Sequence, residues 1–391
     1  MTATVRTGAG IPESTRKRNL PLQQQRVMAT LPPRLQRLAD SLDDLALDAM
    51  LVTDEINVRY LSGFTGDSSY LLVTPQETTI LSDGRYTAQI AEQCTGIQAQ
   101  IRSSAQLLRD VVKETLAASK AKRVGIEADK VTLAEYRFLE STCESIEFVS
   151  TTAVVEELRM IKDPAEIAAT RRAVEIAERV FTELVPTLTS GMTEREIAHD
   201  IEHRMRLLGA EGCSFQPIVA AGPGGALPHY HPQDIALANQ KSLLIDWGAK
   251  FEGYASDLTR TLHQQDVSDA FKRAYEGVLE AQLAAIDLIK PGVPVREVDA
   301  AARAALDRHG ILDAFKHGLG HGTGLQIHES PRMSPIGDEI LASGMIITVE
   351  PGVYYDGEFG IRIEDDILVT DSGHEVLSNL PKGLDDCRFM L

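Results

Sequence analysis

The sequence predicts an α/β (α+β) protein with a smaller α/β N-terminal domain and a larger C-terminal domain built by internal duplication. Three observations carry that prediction. The chain has 391 residues, 43% hydrophobic and 25% charged, which leaves room for two ordinary globular domains of roughly 100–200 residues each. Between residues 31 and 155, helical and strand-like apolar patterns alternate. Beyond residue 160 a short motif returns at an offset of 101 residues, each time behind a long amphipathic helix.

Residues 1–30 hold Gly, Pro, Gln and a TRKR cluster and lack the apolar core of a signal peptide, so they read as a flexible, mildly basic, solvated tail. The N-terminal domain, residues 31–155, starts with a helix whose Leu35, Leu38, Leu42 and Leu45 fall on one face, followed by a short strand. SSYLLVTPQETTILSD then reads as two strands about a turn, and SAQLLRDVVKETLAASKAKRVGIEA as a helix and a strand.

The C-terminal domain, residues 160–391, opens on a helix with Asp163 as N-cap and Pro164 at its first position. Its apolar stripe includes Ile167, Ala173, Ile176, Val180 and Leu184. The next helix starts at Thr193, paired with Glu196 at capping-box spacing, and closes at Gly209. Gly191-Met-Thr-Glu-Arg-Glu-Ile is echoed by Gly292-Val-Pro-Val-Arg-Glu-Val, with the closing glycine at Gly310. Each half therefore leads two helices into a block of strands.

Composition narrows the function. With 57 Asp+Glu against 39 Lys+Arg the formal charge is −18, which disfavours nucleic acid and anionic membranes as partners. Cys94, Cys143, Cys213 and Cys387 lie far apart without zinc spacing and read as free thiols of a cytoplasmic protein. No stretch reaches the roughly 20 apolar residues of a membrane span. All ten histidines lie between His199 and His374, which places imidazole chemistry in the C-terminal domain.

In KSLLIDWGAKFEGYASDLTRTLHQ two strands flank a turn at Phe251 and Glu252, with Asp246 and Asp257 about equally far from it. In MIITVEPGVYYDGEFGIRIEDDILVT the turn is Asp356-Gly357, and Glu350 and Glu364 occupy the matching places. Cross-strand neighbours lie ~5 Å apart, so each acidic pair is expected to share a face and to need a cation. Ile361 and Ile363 are expected in the core, which turns Arg362 and Glu364 the other way. Solvent-facing strand residues are the plainer alternative, and the symmetric placement of four argues against it. The glycines of HGLGHGTGLQIHE, residues 317–329, exclude the helix of an HExxH zinc site and let His321 approach the carboxylates. Four carboxylates and one imidazole form a hard donor set suited to two divalent ions such as Mn²⁺ or Co²⁺, with Zn²⁺ the remaining alternative.

At these residues the chain resembles the pita-bread metallopeptidases, which include methionine aminopeptidase, prolidase and aminopeptidase P. The resemblance rests on IDWGA, SDLTRT, HGLGHGTG, TVEPGVY and IRIEDD. It implies that Asp246, Asp257, His321, Glu350 and Glu364 ligate a dinuclear centre, with Asp257 and Glu364 bridging the ions. ALPHYHP and QIHE resemble the proline-specific branch, which implies that His229 and His328 face the substrate and that Arg362 is an active-site arginine. FTGDSSYLLVT and LSDGRYTAQI are similar to the extra N-terminal domain of that branch, which methionine aminopeptidase lacks. Creatinase shares the two-domain shape without the metal ligands.

The resemblance implies two-metal hydrolysis, with a bridging hydroxide as nucleophile, Glu350 as acid/base, and His229 and His328 steadying substrate and oxyanion. The expected enzyme is an Xaa-Pro aminopeptidase acting on peptides with proline second, with Xaa-Pro dipeptidase (prolidase) as the alternative and an inactive binding module as the remote one. A homodimer is expected from the family. The other histidines read plainly: His199 and His203 as surface, His231 as pocket or loop, and His317 as a structural neighbour of His321. His309 suits a helix end, while His263 and His374 carry no signal.

Overall fold

Helix α1 (Pro33–Asp44) buries Leu35, Leu38 and Leu42 completely, at about 1.5–3 kcal/mol for each side chain removed from water. Leu45 departs from the expected stripe. It follows the last helical turn as the C-cap and is 39% exposed. A computed structural model describes residues 32–390, so the basic tail expected over residues 1–30 lies outside the described residues.

The chain continues through β1 (Ala49–Val52), α2 (Glu55–Ser62), β2 (Tyr70–Val73), β3 (Thr78–Asp83) and α3 (Thr87–Gln93). Next come β4 (Gln98–Arg102), α4 (Leu108–Ser119), β5 (Arg123–Glu127), α5 (Leu133–Thr142) and β6 (Glu147–Thr151). The six strands form one mixed sheet in the order β4-β3-β2-β1-β5-β6. Strand alternation divides its side chains between two cores. Met50 and Val52 pack with the α1 leucines, and Ala49 and Leu51 with Val111, Leu116 and Leu139 of α4 and α5. Helix α6 (Val154–Met160) crosses the boundary expected near residue 155.

Helix α7 (Pro164–Leu184) begins as expected, the Asp163 carboxylate accepting from the Ala165 and Glu166 N–H groups. Its duplicate partner is α9 (Asp269–Ile286); α8 (Glu194–Leu207) corresponds to α10 (Val295–Arg308). After α8 come β7 (Gly212–Cys213), β8 (Ile218–Ala221), β9 (Ser242–Trp247), β10 (Ala249–Phe251), β11 (Tyr254–Ala255) and β12 (Leu258–His263). After α10 come β13 (Gly320–Gly322), β14 (Glu329–Met333), β15 (Ile346–Val349), β16 (Gly352–Tyr355), β17 (Phe359–Arg362), β18 (Asp365–Val369) and β19 (His374–Val376).

The strands repeat like the helices. The first half yields the antiparallel order β12-β9-β8, and the second yields β14-β13-β15-β18-β19. An antiparallel bridge between Thr259 and Glu364 joins the halves. One apolar core of Trp247, Tyr275, Val298, Ile347 and Ile361 runs behind both sheets. No helix among the described residues is long and apolar enough to cross a membrane.

Candidate metal centre

The first hairpin turns at Glu252-Gly253, both at positive φ, one residue later than expected. That shift corrects the pairing of its acids. Asp246 lies opposite Thr259, and the same register puts Asp257 opposite Gly248. The two aspartates are thus diagonal rather than direct neighbours, still on one face. In the second hairpin Val349 pairs with Asp365 and Gly352 with Arg362, so Glu350 and Glu364 fall directly opposite each other between those pairs.

His321 sits mid-strand in β13, among glycines that leave no room for a side chain. A Cβ on Gly320 would stand 2.3 Å from the Thr348 carbonyl, and one on Gly322 2.1 Å from the Ser330 carbonyl. This close packing carries the imidazole to 3.6 Å from both Asp257 Oδ2 and Glu350 Oε1. His321 Nδ1 donates to the Gly322 carbonyl at 3.0 Å, so a neutral ring presents a bare Nε2 to the carboxylates. Burial holds this histidine at a pKa of about 4, which keeps it neutral at pH 7.

Donor atoms of Asp257, His321 and Glu364 lie within 4.8 Å of one another, close to the spacing around one ion bound at about 2.0–2.2 Å. Asp246 instead accepts at Oδ2 from the Arg362 guanidinium, and its Oδ1 has no hydrogen-bond partner. Glu350 Oε1 accepts weakly from the Thr348 hydroxyl at 3.5 Å. Burial and then the neighbouring carboxylates push Asp257 and Glu364 well above the usual carboxylate range, and burial pushes Glu350 up to about 8. One arginine cannot balance this many buried acids. The orphaned Asp246 oxygen, the bare imidazole nitrogen and the oxygen-rich set together fit divalent cations.

A cavity of about 590 Å³ opens over this cluster, and its wall includes all five of these residues with His229, His328 and Arg362. His229 and His328 are exposed toward it. The rings of His328 and His321 meet edge to face at 4.4 Å between centroids. Arg362 is 3% exposed; its Nε donates to Thr259 Oγ1 at 3.1 Å and its Nη1 to the Tyr354 hydroxyl at 2.9 Å. His317 donates from Nδ1 to the Gly318 carbonyl, so its Nε2 accepts from that hydroxyl at 2.9 Å.

Three supporting residues escaped the sequence reading. Thr259 donates to Glu364 Oε2 at 2.6 Å, and Asp366 accepts the Asp257 N–H at 2.9 Å. Tyr354 joins Arg362 to His317. Strand parity was the available signal: Asp366 is two residues from Glu364, and Tyr354 is diagonal to Arg362. Of the remaining histidines, His199 and His203 are exposed, His231 lines the cavity, and His309 contacts Glu280 beside the end of α10. His263 and His374 bond backbone carbonyls away from the site.

The description "Creatinase/Prolidase N-terminal domain" matches residues 34–161, and "Metallopeptidase family M24" matches residues 168–371. An Xaa-Pro dipeptidase of Pyrococcus horikoshii is 33% identical over 355 residues, covering 90% of this chain and 98% of that protein. A structure of an Xaa-Pro dipeptidase from Bacillus anthracis superposes with a TM-score of 0.87 at 36% identity, covering 90% of this chain and 98% of that one. An X-Pro aminopeptidase structure from Thermotoga maritima gives 0.83 at 36% identity, covering 92% and 100%. Similarity of this extent on both sides of residue 165 agrees with the duplicated strands and the acidic cavity, and the chain belongs to metallopeptidase family M24 with a creatinase/prolidase N-terminal domain.

Proposed function

We propose that the protein is an Xaa-Pro dipeptidase. The observation that carries hydrolysis at this site is the set of buried donors around His321, whose charge calls for divalent cations. The names of the relatives support the dipeptidase over the aminopeptidase expected from sequence alone, although the Thermotoga structure keeps the latter in view.

In this reading Asp246, Asp257, His321, Glu350 and Glu364 hold two divalent ions, with Mn²⁺ the proposed pair. Bound there, the ions supply Lewis acidity and make water nucleophilic near neutral pH. The protein's own groups do the rest. Glu350, at the cavity wall, takes a proton from the attacking water and passes it to the prolyl nitrogen as the C–N bond breaks. His229 and His328 contact the substrate across the cavity and donate to the carbonyl oxygen as charge develops on it. Arg362, fixed by Thr259, Tyr354 and Asp246, offers a permanent cation to the substrate's carboxylate end.

The test compares an Xaa-Pro dipeptide with the Xaa-Pro-Yaa tripeptide on Mn²⁺-loaded protein. The dipeptide is expected to show a kcat/KM at least about tenfold higher, a difference of about 1.4 kcal/mol in transition-state binding. Preference for the tripeptide would restore the aminopeptidase reading.

A further inference from the structure

The loop that carries His328 is fastened by α6, where the N-terminal domain ends, and by the segment just after it. Glu329, next in sequence, has a side chain only 6% exposed, and its Oε1 accepts the Gln326 N–H at 2.9 Å, closing the loop on itself. Gly324 gives it space: a Cβ there would stand 2.8 Å from Glu329 Oε2. Two buried cations answer the carboxylate. Arg159, from α6, donates from Nη2 to Glu329 Oε1 and to Gln326 Oε1, the latter at 3.1 Å. Lys162, just beyond α6, reaches Glu329 Oε2 at 3.3 Å.

Arg159 is itself anchored in the N-terminal domain. Its Nη1 donates to Asn57 Oδ1 at 2.8 Å, and Asn57 Nδ2 donates to Glu127 at 2.7 Å and to Glu156 at 2.8 Å. Glu127 also accepts the Asp54 N–H at 2.9 Å, which ties the chain to the end of β1. A continuous polar path thus runs from the six-stranded sheet to the residue beside His328. For stability alone, apolar packing would serve at least as well as these buried charges. Orienting a side chain at the cavity needs directional bonds, which apolar packing does not provide.

We propose that Arg159 and Lys162 are positioning residues that set His328 through Glu329, and that through Arg159 the N-terminal domain governs substrate binding in the neighbouring catalytic domain. This rests on the reading of His328 as a substrate contact. The experiment is a double-mutant cycle with Mn²⁺-loaded protein and an Xaa-Pro dipeptide. Arg159→Lys keeps the charge but loses the fork that spans Asn57, Gln326 and Glu329. Alone it is expected to raise KM roughly tenfold, the lower end of the effect of outer-shell partners, with metal content unchanged. In a His328→Ala background the same change is expected to add little.

Full additivity in that background, or a loss of metal in parallel with activity, would overturn the proposal and leave the reading of His328 standing. A neutral His328→Ala would remove both. Should Arg159→Lys fold poorly, Gln326→Ala removes one acceptor of the fork without changing charge and is read in the same cycle.

Discussion

At the scale of single residues, the centre depends on which atoms stay unsatisfied. His321 uses Nδ1 on its own chain and keeps Nε2 free, while Asp257 sits among Glu364, Asp246, Asp366 and Glu350. Asp257→Asn should therefore do two opposite things. Activity and bound metal are expected to fall by at least the ~100-fold that loss of an outer-shell partner can cost. The metal-free protein should keep or gain thermal stability, because a neutral amide of the same shape relieves the repulsion. Metal analysis, a dipeptide assay and thermal melts after chelation check these outcomes, and a fully active variant would remove Asp257 from the centre. Acid positions were legible because carboxylates repeat at matched places in two hairpins. Thr259, Tyr354 and Asp366 were not singled out, because threonine, tyrosine and a second aspartate in a strand have many ordinary uses.

Among the elements, β13 shows how glycine content becomes geometry. Gly320 lies so close to Thr348 that even a methyl group must displace a neighbouring backbone. Gly320→Ala is expected to cost about 1–3 kcal/mol by overpacking and to weaken metal binding by moving His321. Gly373→Ala, with nothing within 4 Å of the added Cβ, is expected to stay within about 0.5 kcal/mol. Denaturant midpoints with metal titrations separate the two. The hairpins themselves could be read from period-2 patterning and turn residues. The second turn, marked by Asp356-Gly357, takes in Glu358 as well, since Tyr355 pairs with Phe359, and that three-residue loop sets Glu350 against Glu364. The first turn uses Glu252 at φ 50, a conformation that glutamate rarely adopts, and so hid the offset between Asp246 and Asp257.

At the scale of the whole molecule, cation binding and folding are linked. Glu350 has a folded pKa of about 8 against an ordinary value of 4.5, so the folded state favours its protonated form. Its contribution to stability is complete below about 4.5 and is lost as pH rises through about 8. Bound cations compensate the ionised form. Chelation should therefore lower the melting temperature more at pH 8 than at pH 5.5, as thermal melts with and without chelator would show; an equal drop at both would contradict the linkage. The duplication was legible at this scale because a motif of glycine, arginine, glutamate and an aliphatic residue recurs 101 residues on, from Gly191 to Gly292. The path through Asn57, Glu127, Arg159 and Glu329 was not, because no local pattern connects residues so far apart in sequence.

The bridge from Thr259 to Glu364 also bears on the order of synthesis. A ribosome completes Asp246 and Asp257 roughly 100 residues before Glu350 and Glu364, so an emerging chain holds half a centre and cannot yet close it. Only when the second hairpin has arrived do the acids face one another. A site that needs all four carboxylates can therefore be completed only late in synthesis, once residues near 364 have emerged.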